Sequence, residues 1–262
     1  MVHAPTMTAA VIRHVLRTAR EAGADPTPVV ARLRLPSSLT FEARLPLSLI
    51  TDLCEAIGRL VQDPWFPIRA AAIPESEELS VLGMFCQAQA TLGDALRMMA
   101  RYWLVVTDPY RMSASAGRDQ AVVAFDTPAA VERLGLRSQV EFDVFDIVGG
   151  IEQATGGVRP RDGAIAHPRP SAPGAPPWPA GSELRFNAPR MQIVYARPLW
   201  DRRLRGAKLE LARMLRPKLD MMLWATEGRM TTPTGSELRC RSSYKRAVRR
   251  VNVGRVGRLS IP

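Results

Sequence analysis

Residues 82–106, LGMFCQAQATLGDALRMMARYWLVV, constrain the fold more than any other stretch of the chain. Thr91 is placed to cap a helix, and Asp94 follows three residues on, where a capping-box acid belongs, although that box prefers Glu or Gln. Apolar residues then fall at Leu92, Ala95, Leu96, Met99, Tyr102, Trp103 and Val106, the three-or-four spacing of one helix face. Asp94, Arg97 and Arg101 fall mostly on the other face. A second apolar run, residues 82–90 around Gly83, precedes the cap. The pattern predicts a pair of helices forming a hub. Its aromatic residues read first as packing, because large apolar side chains mostly sit inside.

The remaining composition narrows what surrounds that hub. A chain of 262 residues with 46% hydrophobic and 23% charged residues suits one sizeable soluble domain plus an appendage. No apolar run reaches the ~18 residues of a membrane span, and the N-terminus lacks the clean apolar block of a secretory signal. Cys54, Cys86 and Cys240 are odd in number and show no CxxC spacing, which implies a reducing compartment without a disulfide frame or zinc site. With only His3, His14 and His167, a multi-histidine metal site is not expected. Of the net charge of +11, residues 221–262 carry +7 and the other 220 residues only +4. Positive charge therefore belongs to the tail and not to a basic face of the main domain.

Read in order, residues 7–23 form an opening helix ended by Gly23, and Asp25-Pro26-Thr27-Pro28 starts a short second one that stops at Leu35-Pro36. Arg44-Leu45-Pro46 opens a third, with a stripe of Leu49, Ile50, Leu53, Ala56, Ile57 and Leu60, closed by Asp63-Pro64. A connector and an acidic patch (Glu75, Glu77, Glu78) lead to the hub. After Pro109, residues 110–116 and 120–126 flank Gly117-Arg118-Asp119 as a hairpin. Thr127-Pro128 caps a long helix to about Thr155, with Val140, Val144, Phe145, Val148 and Ile151 as its stripe. Residues 163–167 read as a short strand. The segment 168–179 holds six prolines and excludes helix or central strand. Residues 184–186 and 191–195 read as a second hairpin around 187–190, and a last helix starts near Ala207 with Pro217 interrupting it. The fold class expected is α+β, with helices packed on a small antiparallel sheet made of hairpins and an irregular basic C-terminal tail.

No nucleophile elbow, phosphate loop, dinucleotide fingerprint or HExxH motif occurs. Gly149-Gly150 and Gly156-Gly157 lie within or at the end of a helix, which is not the setting of a phosphate loop. Glu141, Asp143, Asp146 and Glu152 read as a solvated helix face ahead of a paired-carboxylate site. Cys54 and Cys86 read as small core residues. His167, in HPRP, reads as a structural histidine ahead of a ligand contact. The chain is therefore not expected to be an enzyme, and nothing in it calls for a cofactor. A pocket that binds without reacting needs only an apolar concavity and a few polar groups.

Four stretches in order resemble the N-terminal effector-binding domain of the AraC/XylS family of transcription regulators, in the arabinose-binding-like branch. Ala24-Asp25-Pro26 with residues 29–33 is similar to the family's opening segment, and Arg44-Leu45-Pro46 to the entry of its next helix. Leu82-Gly83, Thr91-Leu92-Gly93-Asp94-Ala95-Leu96 and Arg101-Tyr102 resemble its central block most strongly. His167-Pro168-Arg169-Pro170 looks like its "HxxP" strand end, and residues 184–189, Val194 and 199–204 resemble its last conserved-looking run. The resemblance spans about residues 7–224 and implies a cytoplasmic, dimeric regulator that senses a small molecule. It also implies a C-terminal pair of helix-turn-helix units, about a hundred residues long.

Only 38 residues follow Trp224, too few for two such units. Residues 239–250 could form one short basic helix, whereas 253–262 alternate Gly, Arg and Val without helical period. The tail is open to three readings: a basic arm touching phosphates nonspecifically, the product of a shifted or truncated reading frame, or an ordered segment docked on the sensor. Low complexity and arginine excess favour the second. The expectation is thus an effector-binding and dimerisation domain over residues 1–224 and a basic tail over 225–262. Its partners would be a small organic effector and a second copy or a full-length relative, with DNA reached only through a supplied helix-turn-helix partner and no membrane. Tyr102, Trp103, His167, Gln192 and Tyr195 are the candidate pocket residues, between the hub helix and the hairpins. A stand-alone small-molecule binder and a nonspecific nucleic-acid binder acting through its tail are the alternatives.

Overall fold

The computed structural model describes residues 5–36, 40, 42–63, 65–66, 69, 80–126, 134–171, 176 and 178–230. The chain divides into two units, Met1–Leu223 and Trp224–Pro262, and the hub, sheet and cavity all belong to the first. Strand β1 (Thr6–Thr8) is followed by α1 (Ala10–Glu21), α2 (Thr27–Leu33), β2 (Arg44–Pro46) and α3 (Leu47–Val61). The hub comprises α4 (Val81–Gln87) and α5 (Leu92–Val106). Then come β3 (Arg111–Ala116), β4 (Gln120–Asp126), α6 (Leu134–Thr155), β5 (Asp162–Ala164), β6 (Glu183–Arg185) and β7 (Met191–Ala196). A 3-10 turn (Arg197–Asp201) leads to α7 (Leu209–Met230). The fold is α+β. Among the described residues no helix is long and apolar enough to cross a membrane.

The hub forms as its spacing predicts. The Thr91 hydroxyl accepts from the Asp94 amide at 3.1 Å and donates to the Asp94 carboxylate at 2.7 Å, so the pair closes the first turn of α5. Leu92, Ala95, Leu96, Tyr102 and Trp103 are buried. Helix α5 lies along β3 and against α4, while α3 packs on α1, α2 and α6. The first hairpin is also as expected, antiparallel in register from Arg111 opposite Asp126 to Ala116 opposite Ala121.

Elsewhere the chain departs from the sequence reading, each time for a physical reason. Residues 6–8 do not open a helix; they pair with Arg44–Pro46 in a two-stranded antiparallel ribbon that ties the N-terminus to the start of α3. The residues 183–185 and 191–196 do not form a hairpin. Strand β5 lies between them in the five-stranded order β3-β4-β7-β5-β6, parallel to β6 and antiparallel to β7, so the sheet is mixed. The turn at 186–190 is wide enough to straddle a strand, since two neighbour spacings are roughly 10 Å. It is fastened back on the β5 side, where the Asn187 amide donates to the His167 carbonyl and the Ala188 amide to that of Ile165. Helix α7 begins at Leu209, and Pro217 is carried inside it without ending it. Glu75, Glu77, Glu78, Pro128, Cys240 and residues 231–262 lie outside the described residues, as do the tail readings that rest on them.

Candidate functional site

A cavity of about 240 Å³ opens beneath the hub. Its walls come from β1 (Met7, Thr8), from α1 (Val11, His14), from α4 (Val81, Leu82, Cys86), from the buried face of α5 (Leu92, Leu96, Trp103) and from the C-terminal half of α6 (Phe142 to Ala154), with Leu204 and Met222 completing it. Helices supply most of the lining, and no residue of β3–β7 does. The walls are mainly aliphatic and aromatic. Its charged groups are Glu42, Asp143 and Asp146 beside His14, and neither lysine nor arginine lines it.

Asp143 is the best-defined polar group there. It is 8% exposed, it accepts from the Gln139 amide at 2.8 Å on one oxygen, and it accepts from the Tyr110 hydroxyl on the other. Burial pushes its carboxyl up to about 7, against the lowering effect of those two donors. The same burial, with the neighbouring carboxylate, pushes the Tyr110 hydroxyl up. Cys54 donates to the Gln139 side-chain oxygen at 3.7 Å, and burial raises its thiol to about 12, so it is a packed thiol with no nucleophilic character near neutral pH. His14 is buried, edge-on to Phe142 at 4.7 Å between ring centroids. The solvated-face reading of the α6 acids is therefore corrected. Glu141 and Asp143 are buried, Glu152 is partly buried and Asp146 is exposed.

A second polar network holds the hub to the N-terminal ribbon. Arg44 donates to the carbonyls of Leu104 at 3.2 Å and Val105 at 2.7 Å, the last turn of α5, where unpaired carbonyls and the helix dipole favour a cation. It also donates to the Thr6 carbonyl at 2.9 Å and pairs with Asp108 at 3.2 Å. Asp108 in turn accepts from the Thr6 amide at 2.7 Å and hydroxyl at 2.9 Å. The arginine of the Arg44-Leu45-Pro46 stretch thus serves as the C-terminal cap of a helix sixty residues away in sequence.

The five sequence-predicted pocket residues are dispersed. Trp103 lines the cavity. Tyr102 faces away from it, edge-on to Phe85, its hydroxyl donating to Asp220 at 2.6 Å. His167 packs against the buried Glu141 carboxylate, which also has the Arg137 guanidinium at 3.7 Å. Gln192 lies in β7 opposite Ala124 and Ala164. Tyr195, opposite Ala121, is buried, and burial raises its hydroxyl. What sequence reasoning passed over is His14 on α1, and on α6 it set aside Asp143 as solvated and the pair Gly149-Gly150 as no phosphate loop, although both line the cavity. The glycines carried a usable signal. A glycine inside a helix costs roughly 1 kcal/mol against alanine, and a Cβ added at Gly150 would meet nothing within 4 Å, so its absence leaves open space beside the cavity.

An apolar cavity with a few polar groups in its lining has the composition common to small-molecule pockets. Residues 23–204 match the family model described as the arabinose-binding domain of AraC transcription regulators, N-terminal, and the chain belongs to that family. That family is one of transcription regulators and not of enzymes. The matched span leaves β1, α1 and α7 outside, although α1 supplies a wall of the cavity. Among solved structures, the chain is similar in fold to the transcriptional regulator CdpR from Pseudomonas aeruginosa, with a TM-score of 0.54 at 12% identity over 84% of this chain and 72% of that one. No curated protein sequence matches it.

Proposed function

We propose that residues 1–224 act as the effector-sensing and dimerising part of an AraC-type regulator in the cytoplasm, and that the cavity under the hub holds the effector. The observation that carries this reading is the cavity itself: its walls join α1, the two hub helices and α6. A molecule seated there would couple the N-terminal ribbon to the family-matched core. Trp103 is the one candidate pocket residue at that wall; Tyr102, His167, Gln192 and Tyr195 do not line the cavity. Dimerisation is assigned to the outer face of α7. Met214 is 76% and Met221 46% exposed there, two helical turns apart. The grip on an operator is assigned to helix-turn-helix units supplied by a partner chain or segment, and the basic tail over 225–262 adds at most salt-sensitive phosphate contacts.

The test is a thermal-shift screen of small organic molecules on the wild type and on Gly150→Phe, which grows a side chain into the cavity from a position with open space around it. An effector at a hundredfold excess over its Kd stabilises by about 2.7 kcal/mol, a shift expected in the wild type and abolished in the variant. Equal shifts in both would place the binding site elsewhere. A mobility-shift assay covers the rest: sequence-specific, salt-resistant DNA binding by the chain alone would contradict the assignment of operator contact to a supplied partner.

A further inference from the structure

The lining of the cavity also speaks to the chemistry of its occupant, on the reading that this cavity is the effector site. We propose that it takes a predominantly apolar molecule, one ring with a short chain, that carries a protonated amine, rather than a free sugar or a carboxylate.

Size comes first. At about 240 Å³ the cavity exceeds the ~150 Å³ apolar cavity known to hold a benzene ring, by enough for a few further heavy atoms. Polarity comes second. A sugar presents a hydroxyl on nearly every carbon, and each one buried without a partner is penalised. The walls around Val11, Leu82, Leu92 and Leu96 give such hydroxyls nothing to bond to. Charge comes third. Glu42 and Asp143 line the space, with the exposed Asp146 at its edge, and no lysine or arginine does, so an anionic ligand would meet like charge while a cation meets the opposite sign.

Asp143 is the group that fixes orientation. Its two oxygens each accept one protein donor, from Gln139 and from Tyr110, and a carboxylate oxygen has room for a second. The protein thus holds the carboxyl still from behind and leaves acceptor capacity for a donor from the cavity. Burial keeps this carboxyl part-protonated near neutrality, and an arriving ammonium stabilises its ionised form. His14, buried in the lining as Thr8 is, stands edge-on to Phe142 and is placed to pack against the ring of the ligand.

The experiment is calorimetric titration of the full chain with a matched set: 3-phenylpropylamine, 3-phenylpropanol, 3-phenylpropanoate and L-arabinose. In the wild type the amine is expected to bind at least tenfold more tightly than the alcohol, with the carboxylate and the sugar weaker still. Gly150→Phe should weaken the amine tenfold or more, and Asp143→Asn should erase its advantage over the alcohol. Tighter binding of the carboxylate or the sugar, lost in Gly150→Phe, overturns the amine class while leaving the effector site where it is. Absence of amine binding at millimolar concentration overturns the class as well. Binding of the probes that Gly150→Phe leaves unchanged overturns the reading of the cavity as the effector site.

Discussion

Gly93→Ala sets two opposed effects against each other in the first turn of α5. By helix propensity alone, alanine should stabilise that turn by up to ~1 kcal/mol. The structure gives the opposite sign. A Cβ at Gly93 would stand 2.4 Å from Nε1, 2.5 Å from Cε2 and 2.6 Å from Cδ1 of Trp200, where ordinary contact is roughly 3.5–4.0 Å. The indole is a rigid plate, it is buried, and the Arg97 guanidinium covers it at 5.2 Å. Nor can the backbone retreat freely, because the Leu92 amide next door is bonded to the Arg202 carbonyl at 2.9 Å. Overpacking costs about 1–3 kcal/mol, and contacts this short to a rigid ring belong in the upper part of that range, about 2–3 kcal/mol, which leaves a net loss of about 1–2 kcal/mol once propensity is credited. For a domain of this size that lowers Tm by about 2–8 °C, read by circular dichroism. Trp200→Leu removes the obstacle, so in that background Gly93→Ala should be neutral or mildly stabilising. A Gly93→Ala protein at least as stable as the wild type, or an equal loss in both backgrounds, would refute the packing argument.

Arg44→Leu strips the counterion from buried Asp108 and uncaps the end of α5, and should cost about 3–5 kcal/mol in urea denaturation; Arg44→Lys, without the fork that reaches Thr6, Asp108 and two carbonyls at once, should restore only part of it. Asp143 gives a pH dependence whose sign follows from its raised value. Between 3.8 and about 7 the unfolded chain releases a proton that the folded chain keeps, so this group makes stability fall as pH rises through that window and leaves the full cost in place above it. Asp143→Asn should therefore gain on the wild type by about 2–3 kcal/mol from about pH 5 to about pH 8, and a constant difference across that range would show that the carboxyl is not held up by burial. Met214→Glu with Met221→Glu should convert a dimer to a monomer in sedimentation while the circular dichroism spectrum stays that of the wild type, since both side chains stand largely in solvent.

The hub was legible because a capped helix with a wide apolar stripe is a local pattern: Thr91, Asp94 and the buried face from Leu92 to Trp103 need no knowledge of distant residues. The hairpin at 117–119 was legible for the same reason. What escaped was non-local. Strand β5 slips between β6 and β7 because of bonds from Asn187 and Ala188 to a segment twenty residues earlier, and short-range alternation carries no trace of that. Arg44 reads as an ordinary helix-entry residue until Leu104 and Val105 are brought beside it. The acids of α6 read as solvated because charge usually is, yet Glu141 and Asp143 face the inside of a helix covered on more than one side. Of the proposed pocket residues, Trp103 follows from the hub pattern, whereas the α6 wall opposite it could only have been suspected from two adjacent glycines in mid-helix.

The most direct measurement of the central claim is amide hydrogen exchange on the full chain with and without a stabilising small molecule. Added protection is expected in α4, α5 and the C-terminal half of α6 around Gly149-Gly150, and it should vanish in Gly150→Phe. Protection confined to β3–β7, or unchanged in Gly150→Phe, would contradict a sensor built around the cavity beneath the hub.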